Sequence, residues 1–262
     1  MTLPLIAEDT ALLAQAATEA SDIAMHYFRR ASLRVDLKEN NSPVSEGDYA
    51  VDKYLRETLT HARPAYGWLS EETADDDPSS RMGAARTFIV DPIDGTRAYI
   101  SGRDTWCISM AIVEDGRPVA GLLACPALGE SICASIVDEQ RVLTDDDVRP
   151  IIVGGRKAHV RDLAKRLPTV AIKEGHHVPS LAYRIAMVAD GRLAGTFIRK
   201  HAHEWDVAAA DVIATMAGAC FVDADGEQII YNQRAPTLGE MVCAKPALIG
   251  PMLNVVTANS IR

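Results

Sequence analysis

The run Asp91-Pro92-Ile93-Asp94-Gly95-Thr96 follows an apolar segment, residues 86–90, of the kind found in buried β-strands. Both carboxylates should therefore leave the C-terminal end of a strand, and the rigid proline between them favours their convergence on one small volume. Two carboxylates at short distance repel each other unless a cation joins them. The glycine lets backbone N–H groups approach an anion closely. An ordinary Asp-Gly turn would explain the second acid but not the first. The run therefore favours a metal site beside a phosphate-binding loop.

The composition limits the partners of the chain. It has 262 residues and a formal net charge of −9, from 36 acidic and 27 basic side chains. An acidic surface repels polynucleotide backbones, which argues against a nucleic-acid polymer as partner. A small anionic substrate would need bound cations or a local basic patch. Apolar residues make up 48% of the chain, enough for a sizeable core in one large domain or two closely packed halves.

The cysteines and the apolar pattern indicate a cytoplasmic protein without membrane contacts. No Cys-x-x-Cys spacing occurs, so we expect buried, reduced thiols rather than disulfides or zinc ligands. The five are Cys107, Cys125, Cys133, Cys220 and Cys243. We find no signal-like N-terminus and no apolar run long enough to span a bilayer.

The pattern in the first half of the chain predicts helices packed on an antiparallel sheet. Helical spacing predicts a helix over residues 8–30 and a second over 45–61, with Ser45 as its N-cap. Short strands should follow around residues 66–70 and 87–91. A meander of strands is predicted over 105–113, 118–124 and 130–137.

Beyond a polar, Asp-rich stretch at 138–150, strands and helices alternate, which predicts an α/β half with a partly parallel sheet. Strands are expected at 151–153, 169–172, 195–198, 220–222 and near 229 and 242, and helices at 160–167, 181–188, 206–217 and from 246. We predict two domains: residues 1–145, an α+β half that binds metal and phosphate, and residues 146–262, an α/β half that completes the site.

Other acids complete the opening motif. Glu71 and Glu72 follow a strand-like segment, and Asp48 lies in the first turn of the second helix. Asp206 lies in Trp205-Asp206-Val207-Ala208-Ala209-Ala210, at the start of a small-residue helix. Each alone is most often a solvated loop acid or a helix N-terminal acid. Together they indicate a shared anionic cluster.

In this order and spacing, the segments Asn41–Asp48, Trp68–Glu72, Asp91–Thr96 and Trp205–Ala210 resemble the inositol monophosphatase family of Mg²⁺-dependent, lithium-sensitive phosphatases. The resemblance covers essentially the whole chain. It implies a layered αβαβα sandwich, a small phosphorylated substrate and a homodimer.

The resemblance also implies a set of metal ligands. Glu71, Asp91 and the main-chain carbonyl of Ile93 would hold one Mg²⁺. Asp91, Asp94 and Asp206 would hold a second, and a third, weaker ion would depend on Glu71 and water. Hard oxygen ligands of this kind suit Mg²⁺ better than a thiophilic metal.

Catalytic roles follow from the same resemblance. Asp48 and the Thr96 hydroxyl would orient and deprotonate the attacking water. The amides of Gly95 and Thr96 would hold the phosphate as its charge shifts. Glu72 would orient ligands or water from outside the metal sphere.

The substrate is predicted from basic residues outside this core. Arg199 stands where inositol-selective relatives carry a glutamate, and Lys200 follows it. A guanidinium can hold a second phosphate through two hydrogen bonds. The loop with Arg156 and Lys157 is similar to one in the bisphosphate nucleotidase branch, whereas a hairpin of that branch near 139–147 is shorter here.

We therefore expect 3′-phosphoadenosine 5′-phosphate as the substrate. Inositol 1-phosphate and histidinol phosphate remain open, and so does a purely solvated role for the basic residues. A non-catalytic regulator that binds a macromolecule is the alternative of another class.

Overall fold

The computed structural model describes residues 3–39, 41–73, 75, 77–140 and 151–260. Their elements, in chain order, are α1 (Leu3–Tyr27), β1 (Val35–Leu37), β2 (Pro43–Ser45), α2 (Glu46–Ala62), β3 (Gly67–Ser70), α3 (Pro78–Met82), β4 (Arg86–Asp94), α4 (Thr96–Ile100), β5 (Cys107–Glu114), β6 (Arg117–Cys125), a 3-10 turn (Pro126–Leu128), β7 (Glu130–Ser135), β8 (Ile151–Gly154), α5 (Lys157–Arg166), β9 (Ile172–Glu174), α6 (Leu181–Ala189), β10 (Gly195–Ile198), α7 (Glu204–Met216), β11 (Cys220–Asp223), β12 (Met241–Ala244) and α8 (Pro246–Ser260).

Three apolar cores separate five layers. The first core joins α1 and α2 to one face of the sheet β3–β7. The second joins the other face of that sheet to α6, α7 and the sheet β8–β12. The third lies between the second sheet and the helices α5 and α8. This order of layers is the αβαβα sandwich that the sequence predicted.

The two sheets differ in strand direction. The first has the order β3-β4-β5-β6-β7 and is antiparallel except for the parallel pair β3–β4. The second has the order β11-β12-β10-β8-β9, with parallel pairs around β8 and antiparallel pairs around β12. The partly parallel second sheet is confirmed. The first sheet is antiparallel only from β4 onward.

A β-bulge near the end of β4 brings two acids to one side of the sheet. Asp91 pairs with Ser109 and Asp94 with Cys107, so one extra residue lies in β4 between the two pairs. In a regular strand, residues three apart point to opposite faces. The extra residue restores a common face, which allows both carboxylates to face the same cavity.

Several predicted bounds were wrong for local reasons. The first helix begins at Leu3. It ends at Tyr27, because Arg29 has a left-handed backbone (φ 59°) that a helix cannot include. The strand predicted at 169–172 lies at Ile172–Glu174, since a turn precedes it in which the Val170 N–H bonds the Leu167 carbonyl.

The strand predicted near 229 is absent from the described residues around it. The backbone of Tyr231 instead donates to the carbonyl of Gly116, in the β5–β6 turn. All five cysteines are free, as predicted, but Cys133 is exposed and Cys220 partly so. The predicted domain boundary at 145/146 and most of the 139–147 hairpin lie outside the described residues. Among those residues, none of the helices is long and apolar enough to cross a membrane.

Candidate metal centre and active site

Three carboxylates from different elements meet at one point. Glu71 follows β3, Asp91 lies in β4 and Asp206 lies in the first turn of α7. Each offers an oxygen, and these oxygens all lie within 4.8 Å of one another. The predicted convergence of these three side chains is therefore present.

The electrostatics of this cluster favour a bound cation. Burial raises the pKa of Asp91, and the charges of Glu71, Asp94 and Asp206 raise it further. Burial likewise raises the pKa of Asp206, with Asp94 as the next cause. The donors are carboxylate oxygens, which suit a hard cation such as Mg²⁺. The residues present therefore fit the metal that the family resemblance implies.

Lys38, which the sequence analysis missed, lies against this cluster. Its Nζ lies 2.9 Å from Glu71 Oε1 and 2.7 Å from Glu72 Oε1. Burial lowers the pKa of Lys38, but the Glu71 charge and the two hydrogen bonds outweigh burial and leave the pKa above its ordinary value. The lysine thus supplies part of the positive charge that the cluster needs.

Asp94 is held by the start of α6. Its carboxylate accepts hydrogen bonds from the Ser180 hydroxyl (2.5 Å) and from the N–H groups of Ala182 (2.7 Å) and Leu181 (3.2 Å). These bonds orient Asp94, while its charge still acts on Asp91. Asp94 lies outside the group of three converging oxygens, so its role as a ligand stays a prediction.

Asp48 and Thr96 meet beside the bulge. The sequence predicted Ser45 as the N-cap of α2, and its N–H and hydroxyl donate to Asp48 Oδ2 at 2.8 and 2.5 Å. The Thr96 hydroxyl lies 3.3 Å from Asp48 Oδ1 and 3.1 Å from the Ile93 carbonyl. Burial raises the pKa of Asp48 to about 6 despite the bonds from Ser45. A carboxylate with this pKa can exchange a proton near neutral pH.

Gly95 permits the turn between β4 and α4. It has φ 95°, a conformation that side chains rarely adopt. A Cβ there would also lie 3.3 Å from the backbone of Ser180. The predicted glycine role in bringing the backbone close to a ligand is consistent with this geometry.

Hydrogen bonds to Asp52 of α2 hold the segment that contains Glu71 and Glu72. Asp52 accepts hydrogen bonds from the hydroxyls of Ser70 (2.5 Å) and Thr73 (2.8 Å), one on each side of the two glutamates. Burial raises the pKa of Glu72 to about 7, and the Glu71 charge adds to the effect. Glu72 therefore lies beside the cluster, facing Lys38.

A cavity of about 740 Å³ opens above the carboxylates. Glu71, Asp91, Asp94 and Asp206 line part of it, and apolar residues, Glu240 and two histidines line other parts, beside six arginine and lysine residues. These are Arg97, Arg103, Arg156, Arg184, Arg199 and Lys200. In the part of the chain that the structure describes, Lys157 is not among the lining residues, and its Nζ lies 3.0 Å from Glu174.

Arg184, on α6, is one of the basic residues that line the cavity. Its Nε donates to the Thr196 hydroxyl at 3.0 Å, and burial lowers the pKa of the guanidinium. A lone charged residue in the otherwise apolar helix α6 was the sequence signal for it. The guanidinium lines the cavity close enough to Asp94 for that charge to raise its pKa, so it is placed to meet an anion bound there.

The layered fold and a carboxylate cluster in an arginine-lined cavity define the class of metal-dependent phosphatases. A family model described as "Inositol monophosphatase family" matches residues 6–254. The chain belongs to the inositol monophosphatase family, whose members are phosphomonoesterases that depend on a metal, typically Mg²⁺.

Relatives within this family differ in substrate. The chain is 28% identical over 225 residues to a 3′(2′),5′-bisphosphate nucleotidase CysQ from Aggregatibacter actinomycetemcomitans, covering 79% of this chain and 81% of that one. It is 29% identical over 245 residues to a histidinol-phosphatase from Mycobacterium tuberculosis, covering 84% and 88%. Among solved structures, an IMPase/NADP phosphatase complexed with Mg²⁺ and phosphate superimposes with a TM-score of 0.80 at 17% identity, covering 97% of each chain.

Proposed function

We propose that this protein is a Mg²⁺-dependent phosphomonoesterase whose favoured substrate is 3′-phosphoadenosine 5′-phosphate. The observation that carries the proposal is the lining of one cavity, which combines the converging carboxylates with five arginines and a lysine. The carboxylates suit metal-assisted hydrolysis of one phosphate. The arginines suit a second anionic group on the same molecule.

The metal ligands are those that the sequence indicated. Glu71, Asp91 and the Ile93 carbonyl would hold one ion, and Asp91, Asp94 and Asp206 a second, with a third, weaker ion at Glu71. When bound, Mg²⁺ supplies positive charge that offsets the charge of the phosphate and increases the acidity of water.

The other steps belong to side chains and amides of the chain. Asp48 takes the proton of the attacking water, and the Thr96 hydroxyl beside it fixes the orientation of that water. The Gly95 and Thr96 amides hold the phosphate oxygens. Glu72 and its partner Lys38 orient the neighbouring carboxylate.

The second phosphate of the substrate would lie against Arg199, Lys200 and Arg156. The bisphosphate nucleotidase among the relatives supports this choice. Arg184 adds a partly buried guanidinium to the lining of the cavity. Lys157, which we predicted for this role, could join only by leaving Glu174.

The site would lie between the halves 1–145 and 146–262, and the family resemblance favours a homodimer. Histidinol phosphate is the second candidate substrate because a histidinol-phosphatase is similar over most of the chain. Inositol 1-phosphate is the third, from the family itself. The non-catalytic alternative is not favoured, because the family is one of phosphatases.

A comparison of kcat/KM on these three esters tests the substrate. We expect the bisphosphate to be preferred, and Arg199→Ala to lower its kcat/KM by about tenfold or more, as expected for a lost charge-assisted contact. The two monophosphates should lose little. Arg166→Ala, on the exposed surface of α5, is the matched control. Equal losses on all three esters would contradict the nucleotide assignment.

A further inference from the structure

We propose that Arg81 is a positioning residue that holds the Glu71–Glu72 segment and the start of α7 together, through the turn at Asn232 and Gln233. The inference rests on the proposed metal centre and adds the part of the chain that keeps it assembled. We call the set Asp75, Arg81, Asn232, Gln233 and Glu204 the clamp.

The metal centre needs such a restraint because its ligands come from separate elements. Glu71 follows β3 in the first half of the chain, and Asp206 lies in α7 in the second half. Their charges repel across a short distance in a largely buried site. Lys38 forms ion pairs with Glu71 and Glu72 and acts on Asp206 only through its charge among the contacts of the described residues. Other bonds must therefore resist the repulsion before a metal binds.

Arg81 forms the centre of the clamp. The residue is only 2% exposed. Its Nε and Nη2 lie 3.0 and 2.8 Å from Asp75 Oδ2, in the segment that continues from Glu72. The same guanidinium donates to Asn232 Oδ1 at 2.6 Å and to the Gln233 carbonyl at 2.8 Å. One side chain thus joins the acidic segment to a turn of the second half.

Glu204 joins that turn to α7. It is fully buried, and its carboxylate accepts the N–H groups of Asn232 (2.6 Å) and Gln233 (2.8 Å). Asn232 has left-handed backbone, with φ 59°. Glu204 begins α7, whose first turn carries Asp206. A shift of the turn would therefore shift the ligand.

The backbone of Arg81 is itself fixed to the first sheet. The Thr87 hydroxyl of β4 donates to the Arg81 carbonyl at 3.1 Å. The Asn232 side-chain amide donates to the same carbonyl at 3.3 Å. The clamp is therefore continuous from β4, which carries Asp91, to α7, which carries Asp206.

Arg86 is another buried arginine with ion pairs, and it serves as the control for Arg81. It is 3% exposed and forms ion pairs with Asp9 and Glu114. Those pairs join α1 to the first sheet and touch no residue of the metal centre. Loss of Arg86 should lower stability as loss of Arg81 does, so the two variants separate a general packing effect from an effect on the metal centre.

The test is calorimetric titration of Mg²⁺ into the metal-free protein, with Arg81→Gln, Arg86→Gln and Glu71→Gln beside the wild type. We expect Arg81→Gln to weaken Mg²⁺ binding about tenfold, the scale seen when groups that orient metal ligands are lost. The Mg²⁺ concentration for half-maximal activity should rise in parallel, while kcat at saturating Mg²⁺ changes less. Arg86→Gln should lower the Tm but keep the Kd for Mg²⁺.

Asn232→Gly is the second variant, should Arg81→Gln fail to fold. It removes one of the acceptors of Arg81 and the amide that binds the Arg81 carbonyl, keeps the backbone N–H that Glu204 binds, and suits a positive φ. It should also weaken Mg²⁺ binding, by a smaller factor. An unchanged Kd in Arg81→Gln, or in Asn232→Gly if only that variant folds, overturns the clamp. A wild type that binds no Mg²⁺, or a Glu71→Gln variant that binds it normally, overturns the proposed metal centre and the clamp with it.

Discussion

Burial raises the pKa of Asp91 and Asp206, and the neighbouring carboxylates raise it further. Each of these side chains would be more stable in water than in its present place. Such placement costs free energy of folding and is typical of residues kept for binding or catalysis. At the scale of single residues, the centre is therefore built for a cation at the expense of stability.

Asp211 is a buried carboxylate outside this centre, and it gives a prediction for stability. Its oxygens accept the hydroxyls of Tyr231 (2.8 Å) and Thr215 (3.0 Å), and burial raises its pKa from 3.8 to about 6. The native state therefore binds the proton more tightly than the unfolded state does. The stabilising effect of this proton is complete below about pH 4 and is lost as the pH rises through about 6.

Asp211→Asn removes the charge and keeps the shape of the side chain. Because a hydroxyl can accept as well as donate, both contacts can persist. We expect the free energy of unfolding at pH 7 to rise by up to about 3 kcal/mol, and the decline between pH 4 and 6 to become shallower. Urea unfolding of wild type and variant at several pH values measures this. A variant that is less stable at pH 7, with an unchanged pH profile, would contradict the account.

Local signals predicted some residues well and could not predict others. Ser45 and Asp48 are three residues apart, and the N-terminal pattern of a helix identifies such a pair. Lys38 lies 33 residues from Glu71, and Arg81 lies 151 from Asn232. Contacts at such separations depend on how the layers pack, which local sequence patterns do not describe.

At the scale of elements, α2 holds two parts of the site. Asp48 and Asp52 lie one turn apart on its buried face. The first faces Thr96, and the second holds Ser70 and Thr73 on either side of the glutamates. A change in α2 should therefore alter the metal centre without touching a ligand.

Asp52→Asn tests this coupling. The amide oxygen can accept one hydroxyl and the amide N–H can donate to the other, but both bonds lose the carboxylate charge that strengthened them. We expect a loss of about 1–3 kcal/mol in the free energy of unfolding and a higher Mg²⁺ concentration for half-maximal activity. Phosphate release across a Mg²⁺ titration measures the second effect. Asp22→Asn, on the exposed face of α1, is the control. If both variants match the wild type in Mg²⁺ dependence, α2 does not position the glutamates.

The bulge in β4 is the element-scale feature that the sequence did not predict. The motif Asp91–Thr96 indicated convergence, but the one-residue shift against β5 follows only from the pairing of the two strands. The strand predicted near 229 failed for a related reason. Ile229 and Tyr231 are buried there and Ile230 is exposed, yet the backbone of Tyr231 bonds to the β5–β6 turn rather than to a sheet.

At the scale of the whole molecule, the order of layers places the site. The first sheet carries Asp91, the middle layer carries Asp206, and the cavity opens where they meet. The acidic motifs indicated these residues, and the family resemblance that they carry implied the layered fold. Periodicity alone did not indicate that Arg184 on α6 lines the cavity, because a helix of mostly apolar residues gives no indication of which cavity it lines.

The most direct test of the central claim is phosphate release from the three candidate esters, with Mg²⁺ and with a chelator, by the wild type and Asp91→Asn. Asp91 is buried among the other acids, so loss of its charge should disable the centre while the layers remain packed. We predict release that depends on Mg²⁺, stops on chelation and falls by more than about a hundredfold in the variant. Equal release in chelator, or near-normal turnover by a folded Asp91→Asn variant, would contradict the account.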